Sequence, residues 1–116
     1  MKRLLISLIL LILIRPPSFG QTGIASWYGP GYHGKTMANG KIFNQYALTI
    51  ACNHLPLGTM VKITNLENGK IVRAQVTDRG PFIKGRTFDV SFATALMLGF
   101  VKDGLAKVKV EHEHKN

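Results

Sequence analysis

Short apolar segments separated by glycine, proline and asparagine constrain the fold of this chain more than any other feature of its sequence. Six such segments, each of four to eight residues, lie between residues 23 and 110. They are too short for the helices of a helical domain, and two of them alternate apolar and polar residues as a half-buried strand does. The predicted strands cover residues 23–28, 46–52, 59–65, 70–77, 87–90 and 105–110.

The residues between these strands favour a small closed barrel. Asn68-Gly69 is a strong hairpin signal between the third and fourth strands. Gly29-Pro30-Gly31 ends the first strand and begins a long loop that runs past Gly40. Closing the sheet hides the strand edges from further pairing. We therefore predict an all-β, six-stranded barrel that forms one domain over residues 21–116.

One short helix is predicted, over residues of about 91–98. Ser91 is a favourable N-cap, and Gly99 is a residue at which helices commonly end. The spacing of the apolar residues predicts a core-facing side made of Phe92, Ala95, Leu96 and Leu98.

The first twenty residues have the pattern of a secretion signal. Lys2 and Arg3 precede an apolar run over residues 4–14, and Arg15-Pro16-Pro17 ends it. A helix of that run is about 16 Å long, roughly half of a bilayer core. We therefore predict a signal peptide over residues 1–20, with an uncleaved N-terminal anchor as the alternative. Because no cysteine lies near residue 20, the expected product is exported, periplasmic or otherwise in the cell envelope or secreted, and not a lipoprotein.

The positive charge of the chain raises the question of its partner. Fifteen Lys and Arg against six Asp and Glu give +9 over 116 residues, which would suit nucleic acid. Removal of residues 1–20 leaves +6 on 96 residues, and export takes the protein away from most nucleic acid. The charge is then better matched to an extracytoplasmic polyanion, such as cell-wall glycan with its carboxylates, or to an anionic membrane face.

The sequence predicts neither a metal nor a cofactor. Cys52 is the only cysteine, which excludes an intramolecular disulfide and a multi-cysteine zinc site, and we expect it to be a buried small hydrophobe. His112 and His114 have a spacing seen in metal sites, but no third ligand is near them, so a solvated tail is the preferred interpretation.

Two aspartates are candidates for chemistry. Asp78 ends an apolar strand and precedes Arg79-Gly80-Pro81, so its carboxylate is expected at a barrel rim in a defined orientation. The structural alternative is a loop-capping Asp78, or one paired with Arg79 or Arg86. Asp89 lies inside a short apolar strand, where a charge is costly unless it is paired. It is therefore either the partner of an arginine or a second acid.

Aromatic side chains gather where the first strand meets the glycine-rich loop. They are Trp27, Tyr28 and Tyr32, followed by His33. Exposed aromatic rings on a rigid loop can stack on the apolar faces of sugars. Since strand residues alternate in direction, one of Trp27 and Tyr28 must instead point into the core.

Several blocks together resemble the rare lipoprotein A (RlpA) family over nearly all of residues 23–110. They include Ala25-Ser26-Trp27-Tyr28-Gly29-Pro30, Ala38-Asn39-Gly40, Leu55-Pro56-Leu57-Gly58-Thr59 and Asp78-Arg79-Gly80-Pro81-Phe82. The resemblance implies a double-psi β-barrel, related to barwin and the expansins. It also implies a lytic transglycosylase that cleaves peptidoglycan glycan strands stripped of stem peptides, leaving 1,6-anhydromuramyl products.

The resemblance further implies roles for individual residues. Asp78 would be the catalytic acid and base, and the substrate-binding residues would be Trp27, Tyr28, Tyr32, His33, Asn39, Arg79 and Asp89. Two positions depart from the family pattern: Lys41 stands where the family has a glutamate, and Cys52 where it has a histidine.

These departures leave two hypotheses. A lytic transglycosylase needs no attacking water, because a hydroxyl of the substrate closes the ring, and one carboxyl that gives and then takes a proton can suffice. Asp78 could act in this way if it is desolvated in a groove. Alternatively, a Lys41 ammonium paired with Asp78 would hold it as a carboxylate. The protein would then be a catalytically impaired, expansin-like module that binds glycan.

Overall fold

A computed structural model describes residues 20–113 of the chain. The predicted signal peptide, apart from Gly20, and His114 lie outside these residues. The elements in chain order are β1 (Gly20–Trp27), a 3-10 turn (Pro30–Tyr32), β2 (Thr49–Ala51), β3 (Met60–Asn65), β4 (Ile71–Asp78), β5 (Phe88–Val90), α1 (Phe92–Leu98) and β6 (Leu105–His112). No helix among the described residues is both long enough and apolar enough to cross a membrane.

The six strands form a closed barrel, which confirms the predicted fold class. Their order is β1-β5-β2-β4-β3-β6, and β6 returns to β1. Two neighbouring pairs are parallel, β1 with β5 and β2 with β4, and the other four pairs are antiparallel. The short strand β2 therefore lies between β4 and β5, and its pairing with both strands positions the residues of the candidate site.

Alternation along the strands fills the barrel with apolar side chains. In β3, β4 and β6, buried residues alternate with exposed or half-exposed ones over most of each strand, because successive side chains point to opposite faces. The buried strand residues that pack together are Ala25, Ile50, Val61, Ile63, Val72, Ala74, Val76, Phe88, Val90, Ala106, Val108 and Val110.

Helix α1 begins and ends as predicted, but one of its predicted core residues is exposed. The Ser91 hydroxyl accepts a hydrogen bond from Thr94 N at 3.1 Å, and Gly99 ends the helix with a φ of 78°. Leu96 was predicted to face the core but is 59% exposed, so that prediction is wrong. The buried side is formed by Thr94, Ala95 and Leu98, and the Thr94 hydroxyl is satisfied there because it donates to Thr49 O.

Three strand boundaries also differ from prediction by more than one residue. Strand β1 begins three residues earlier because it continues its antiparallel pairing with β6. The segment 46–48 is not a strand, since Asn44 Oδ1 accepts from Tyr46 N and closes a local turn instead. Strand β6 extends to His112, whose Cα pairs with Val61, so His112 belongs to the barrel rather than to a solvated tail.

Candidate active site

The two candidate aspartates lie level with each other on one face of the sheet. Ala51 in β2 pairs with Asp78 of β4 on one side and with Asp89 of β5 on the other. Asp89 also pairs with Ser26 of β1, so that Asp78, Ala51, Asp89 and Ser26 form a row across four neighbouring strands. Two strand spacings of ~4.8 Å place the two aspartate Cα atoms about 10 Å apart.

This row faces away from the barrel interior. The preceding residue of β2, Ile50, pairs with Val76 and Val90, and all three are buried in the core. Because side chains alternate, Ala51 and its β5 partner Asp89 point to the opposite face. In β4 the register shifts by one residue between the partners of Ile50 and Ala51, so that Asp78 rather than Thr77 pairs with Ala51. Asp78 and Asp89 accordingly line the same cavity. There they meet two loops, residues 28–48 between β1 and β2 and residues 79–87 between β4 and β5.

A cavity of about 460 Å³ lies between these loops. Both aspartates line it, as do the side chains of Tyr28, Tyr32, Lys35, Phe43 and Phe82. Two carboxylates, aromatic rings and one ammonium group on a concave surface form a site of the kind that binds a polar ligand with apolar faces.

The carboxylate of Asp78 is held by three hydrogen-bond donors. Its Oδ2 accepts from the Tyr28 hydroxyl at 3.2 Å, and its Oδ1 accepts from Ala38 N at 3.0 Å and from Arg79 N at 2.9 Å. These donors come from the end of β1, from the 28–48 loop and from the turn after β4. Asp78 is therefore fixed in orientation and serves as an acceptor.

The environment of Asp89 favours its neutral form. The pKa of Asp89 is raised to about 6, mainly by burial and to a smaller extent by the nearby charge of Asp78. A hydrogen bond from the Ser26 hydroxyl to Asp89 Oδ1 at 3.1 Å and the charge of Arg86 act in the opposite direction. Asp89 therefore holds a proton more readily than an ordinary aspartate does.

Among the described residues, neither aspartate forms an ion pair with a basic residue. Within residues 20–113 the ion pairs are Lys62–Glu111 and Arg73–Glu113, both away from the cavity. The structural alternative in which Asp78 pairs with Arg79 or Arg86 is therefore wrong. Asp89 likewise forms no close ion pair with an arginine among these residues, although the charge of Arg86 acts on it.

Tyr28 lies between the two carboxylates and the aromatic side of the cavity. Burial, followed by the negative charges of Asp78 and Asp89, raises the pKa of Tyr28 well above its ordinary value. Its hydroxyl therefore stays protonated and acts as a donor. The ring packs on Phe43 at a centroid distance of 4.8 Å and on Tyr32 at 5.3 Å.

Arg79 lines the cavity, but its guanidinium is engaged with the backbone. Nη1 donates to Cys52 O at 2.8 Å and also to Leu55 O. Cys52 N in turn donates to Asp78 O at 3.1 Å. Arg79 thus ties the segment after β2 to the end of β4, which supports the orientation of Asp78.

The two positions that depart from the family pattern lie outside the cavity lining. Lys41 is exposed, and its backbone N donates to Asn39 Oδ1 at 2.9 Å in a local turn. Asn39 N donates to Thr77 O at 3.3 Å, so this residue fastens the loop to β4. Cys52 is completely buried, as predicted, and packs in the core behind Asp78.

Trp27 and His33 also lie away from the cavity. Trp27 pairs with Val90 and packs against the core, and its indole N–H donates to Val101 O at 3.3 Å. His33 Nδ1 accepts from Gln45 N at 3.2 Å, and the His33 ring contacts the edge of Tyr46. Of the aromatic residues singled out in the sequence, Tyr28 and Tyr32 are therefore the two that the fold brings to the aspartates.

Sequence reasoning did not identify several residues of the site. Ser26, Ala51, Lys35, Phe43 and Phe82 were not assigned to it, because strand register and loop packing decide their positions. Within residues 20–113, no group of three or more His, Cys, Asp or Glu side chains is arranged to hold a metal ion.

The sequence of the chain is similar to those of a known protein family. A family model described as "Lytic transglycolase" matches residues 20–110. The chain is 53% identical over 102 residues to the endolytic peptidoglycan transglycosylase RlpA of Rickettsia bellii, covering 85% of this chain and 45% of that protein. It is 48% identical over 94 residues to the RlpA of Pseudomonas aeruginosa, covering 81% and 28% respectively. The chain thus spans less than half the length of these relatives.

Solved structures support the fold. A Streptomyces papain inhibitor has a TM-score of 0.65 at 19% identity, covering 82% of this chain and 96% of that protein. An expansin of Clavibacter michiganensis, solved with cellohexaose, has a TM-score of 0.66 at 19% identity, covering 84% and 52%. The barrel is a double-psi β-barrel, as the resemblance implied. With the family model matched over residues 20–110 and about half of its residues identical to these relatives, the chain belongs to the RlpA family of lytic transglycolases.

Proposed function

We propose that this barrel is a lytic transglycosylase that cleaves the glycan strands of peptidoglycan and leaves 1,6-anhydromuramyl ends. The observation that carries the proposal is the placement of Asp78 and Asp89 on one face of the sheet, either side of Ala51, in one cavity. The raised pKa of Asp89, about 6, supports a division of labour between the two carboxyls.

In this mechanism Asp89 is the acid. Its proton passes to the glycosidic oxygen as the bond from that oxygen to C1 of the muramyl residue breaks. Asp78 is the base: it accepts the proton of the C6 hydroxyl while that oxygen bonds to C1 and closes the 1,6-anhydro ring. No water is consumed, and exchange with solvent returns a proton to Asp89 and removes one from Asp78. Tyr28 positions Asp78 by its hydrogen bond.

This division refines the roles implied by the resemblance, which gave both proton transfers to Asp78. Asp78 accepts three hydrogen bonds, and an acceptor in that environment suits a base. Asp89, which the sequence left as either a paired residue or a second acid, has the environment of an acid.

The test is digestion of isolated, amidase-treated sacculi, with anhydromuramyl ends counted by mass spectrometry. We expect Asp78→Asn and Asp89→Asn each to reduce product formation by ~10²–10⁴-fold. Asp103→Asn, in the exposed turn before β6, is the matched control and should leave the rate unchanged. Equal trace amounts of product from the wild type and Asp78→Asn would overturn the proposal.

A binding-only, expansin-like function remains the second candidate because Lys41 and Cys52 replace a glutamate and a histidine of the family pattern. Its support is weakened by the positions of both residues outside the cavity lining, and by the lack of an ion pair between Lys41 and Asp78 within residues 20–113. It predicts that the wild type binds sacculi without releasing products and that Asp78→Asn binds equally well.

We further propose that the protein acts in the cell envelope, on peptidoglycan glycan strands, after export directed by residues 1–20. The positive charge of the remaining chain suits the carboxylates of that polymer. N-terminal sequencing of the protein recovered from the periplasm tests this proposal, with Gln21 as the expected first residue. Recovery of the full-length chain in the membrane fraction would instead support an uncleaved anchor.

A further inference from the structure

Phe82 is an exposed aromatic side chain at the mouth of the site. It is 84% exposed, and it lines the same cavity as Asp78 and Asp89. Its neighbour Ile83, 58% exposed, also lines the cavity. Apolar side chains exposed together beside polar functional groups mark surfaces that bind a partner or a ligand.

The backbone just before Phe82 is clamped by the side chain of Asn53. Asn53 Oδ1 accepts from Gly80 N at 2.8 Å, and Asn53 Nδ2 donates to Pro81 O at 3.2 Å. Gly80 has a φ of 117°, and a Cβ built there would lie 3.6 Å from the Phe82 ring, so the ring lies over this glycine. The turn that carries Phe82 is therefore held from a separate segment, the one after β2.

A second exposed aromatic residue reaches the cavity from the other loop. Tyr32 is 52% exposed and belongs to the 3-10 turn of the 28–48 loop. The Lys35 ammonium lies 5.9 Å from the centre of its ring. The site thus combines two carboxylates with exposed rings from two loops. Pyranose sugars, which have polar edges and apolar C–H faces, match this combination.

We propose that Phe82 is a stacking platform for a pyranose ring of the glycan and that Asn53 is the residue that positions it. This inference rests on the proposed function and deepens it, because it assigns part of the substrate affinity to a residue that takes no part in proton transfer. Stacking on an aromatic face contributes affinity for the sugar ring itself, whatever the charge of its substituents.

The test measures binding of chitohexaose, a soluble glycan without carboxylates, and turnover of amidase-treated sacculi. We expect Phe82→Ala to raise the Kd for chitohexaose roughly tenfold, and KM by a similar factor, with kcat little changed. Phe82→Trp should keep the affinity. Leu96→Ala removes another exposed apolar side chain, on α1 and outside the cavity lining, and should bind like the wild type.

A double-mutant cycle tests the clamp. Asn53→Ala should raise the Kd severalfold in the wild type but cause no further loss in Phe82→Ala, because both changes remove one platform. If the two substitutions raise the Kd independently, so that their factors multiply in the double variant, Asn53 does not act through Phe82. If the Kd is unchanged in Phe82→Ala, Phe82 is not a stacking platform. Since binding of chitohexaose requires no cleavage, a failure of the transglycosylase proposal would appear in the product assay alone.

Discussion

The Tyr28 hydroxyl lies 3.2 Å from Asp78 Oδ2 and donates a hydrogen bond to it. The other two hydrogen bonds of this carboxylate come from backbone N–H groups, so Tyr28 is the side chain that sets its orientation. The raised pKa of Tyr28 keeps the phenol as a donor and unsuited to act as a base at neutral pH. The contact joins the end of β1 to the end of β4 across the cavity.

Loss of the Tyr28 hydroxyl should slow turnover without weakening substrate binding. Tyr28→Phe keeps the ring that packs on Phe43 and Tyr32 but removes one donor to Asp78. A hydrogen bond to a charged group contributes about 1.5–3 kcal/mol, so we expect kcat to fall by roughly 10- to 100-fold with KM nearly constant. Tyr46→Phe, an exposed tyrosine outside the cavity lining, is the control. Equal rates for Tyr28→Phe and the wild type would contradict the positioning role.

The acid role of Asp89 predicts a pH profile. Its pKa of about 6 means that the protonated fraction falls as the pH rises through 6, so the rate should decline on that alkaline side. Asp89→Asn should reduce the activity strongly, and its residual rate should no longer decline as the pH rises through 6. The profile is measured as kcat/KM on amidase-treated sacculi between pH 4 and 8. A rate that stays constant from pH 5 to 8 would show that a group other than Asp89 is the general acid.

The same group affects stability in a defined direction. The folded-state pKa of Asp89, about 6, lies above its ordinary value of 3.8. The contribution of the protonated Asp89 to the free energy of unfolding is therefore fully present below pH 4 and is lost as the pH rises through 6. Urea unfolding at pH 4, 5, 6 and 7 should show this decline in the wild type and a shallower one in Asp89→Asn. Parallel curves for the two proteins would mean that Asp89 titrates alike when folded and unfolded.

Restoring the family glutamate should have little effect on activity. Lys41 is exposed and outside the cavity lining, and its backbone rather than its side chain is held by Asn39. We expect Lys41→Glu and Lys41→Ala to change the rate on sacculi less than about threefold, since surface substitutions away from a site are usually near neutral. A gain of tenfold or more in Lys41→Glu alone would show that a carboxyl at this position is the missing acid.

Arg79 should contribute to stability more than to substrate binding. Its guanidinium donates to the carbonyl groups of Cys52 and Leu55, and Arg79→Ala leaves both without that donor. We expect a loss of about 2 kcal/mol in the free energy of unfolding, measured in urea. Lys84→Ala, an exposed cation on the same loop, should change it by less than about 0.5 kcal/mol. A weakened glycan affinity with unchanged stability would instead make Arg79 a substrate ligand.

Trp27 is expected to act through packing as well. It contacts the core and the edge of Phe92, and its indole N–H is bonded to Val101 O. Trp27→Ala should lower the free energy of unfolding by about 2–3 kcal/mol while leaving sacculus pull-down intact below the unfolding transition. Pull-down that weakens with stability preserved would place Trp27 on the glycan surface, as the expansin-like hypothesis requires.

Much of the fold was predictable from local patterns. Period-two alternation located β3 and β6, and Asn68-Gly69 located the turn that leads from β3 into β4, since these signals depend on neighbouring residues alone. The caps at Ser91 and Gly99 located α1 for the same reason. Leu96 was misplaced because the side of a seven-residue helix that meets the barrel depends on docking, which no local pattern specifies.

The sequence alone determined that Asp78 stands at a strand end beside a constrained turn and that Asp89 is a charge inside an apolar strand. The resemblance named both among the site residues, but only the tertiary structure placed them in one cavity, on either side of Ala51. The physical reason is register: β2 pairs with β4 and β5 at the same residue, Ala51, although β2 lies well before both strands in the chain. Register also decided between the adjacent aromatics, turning Trp27 to the core beside Val90 and leaving Tyr28 to face the carboxylates.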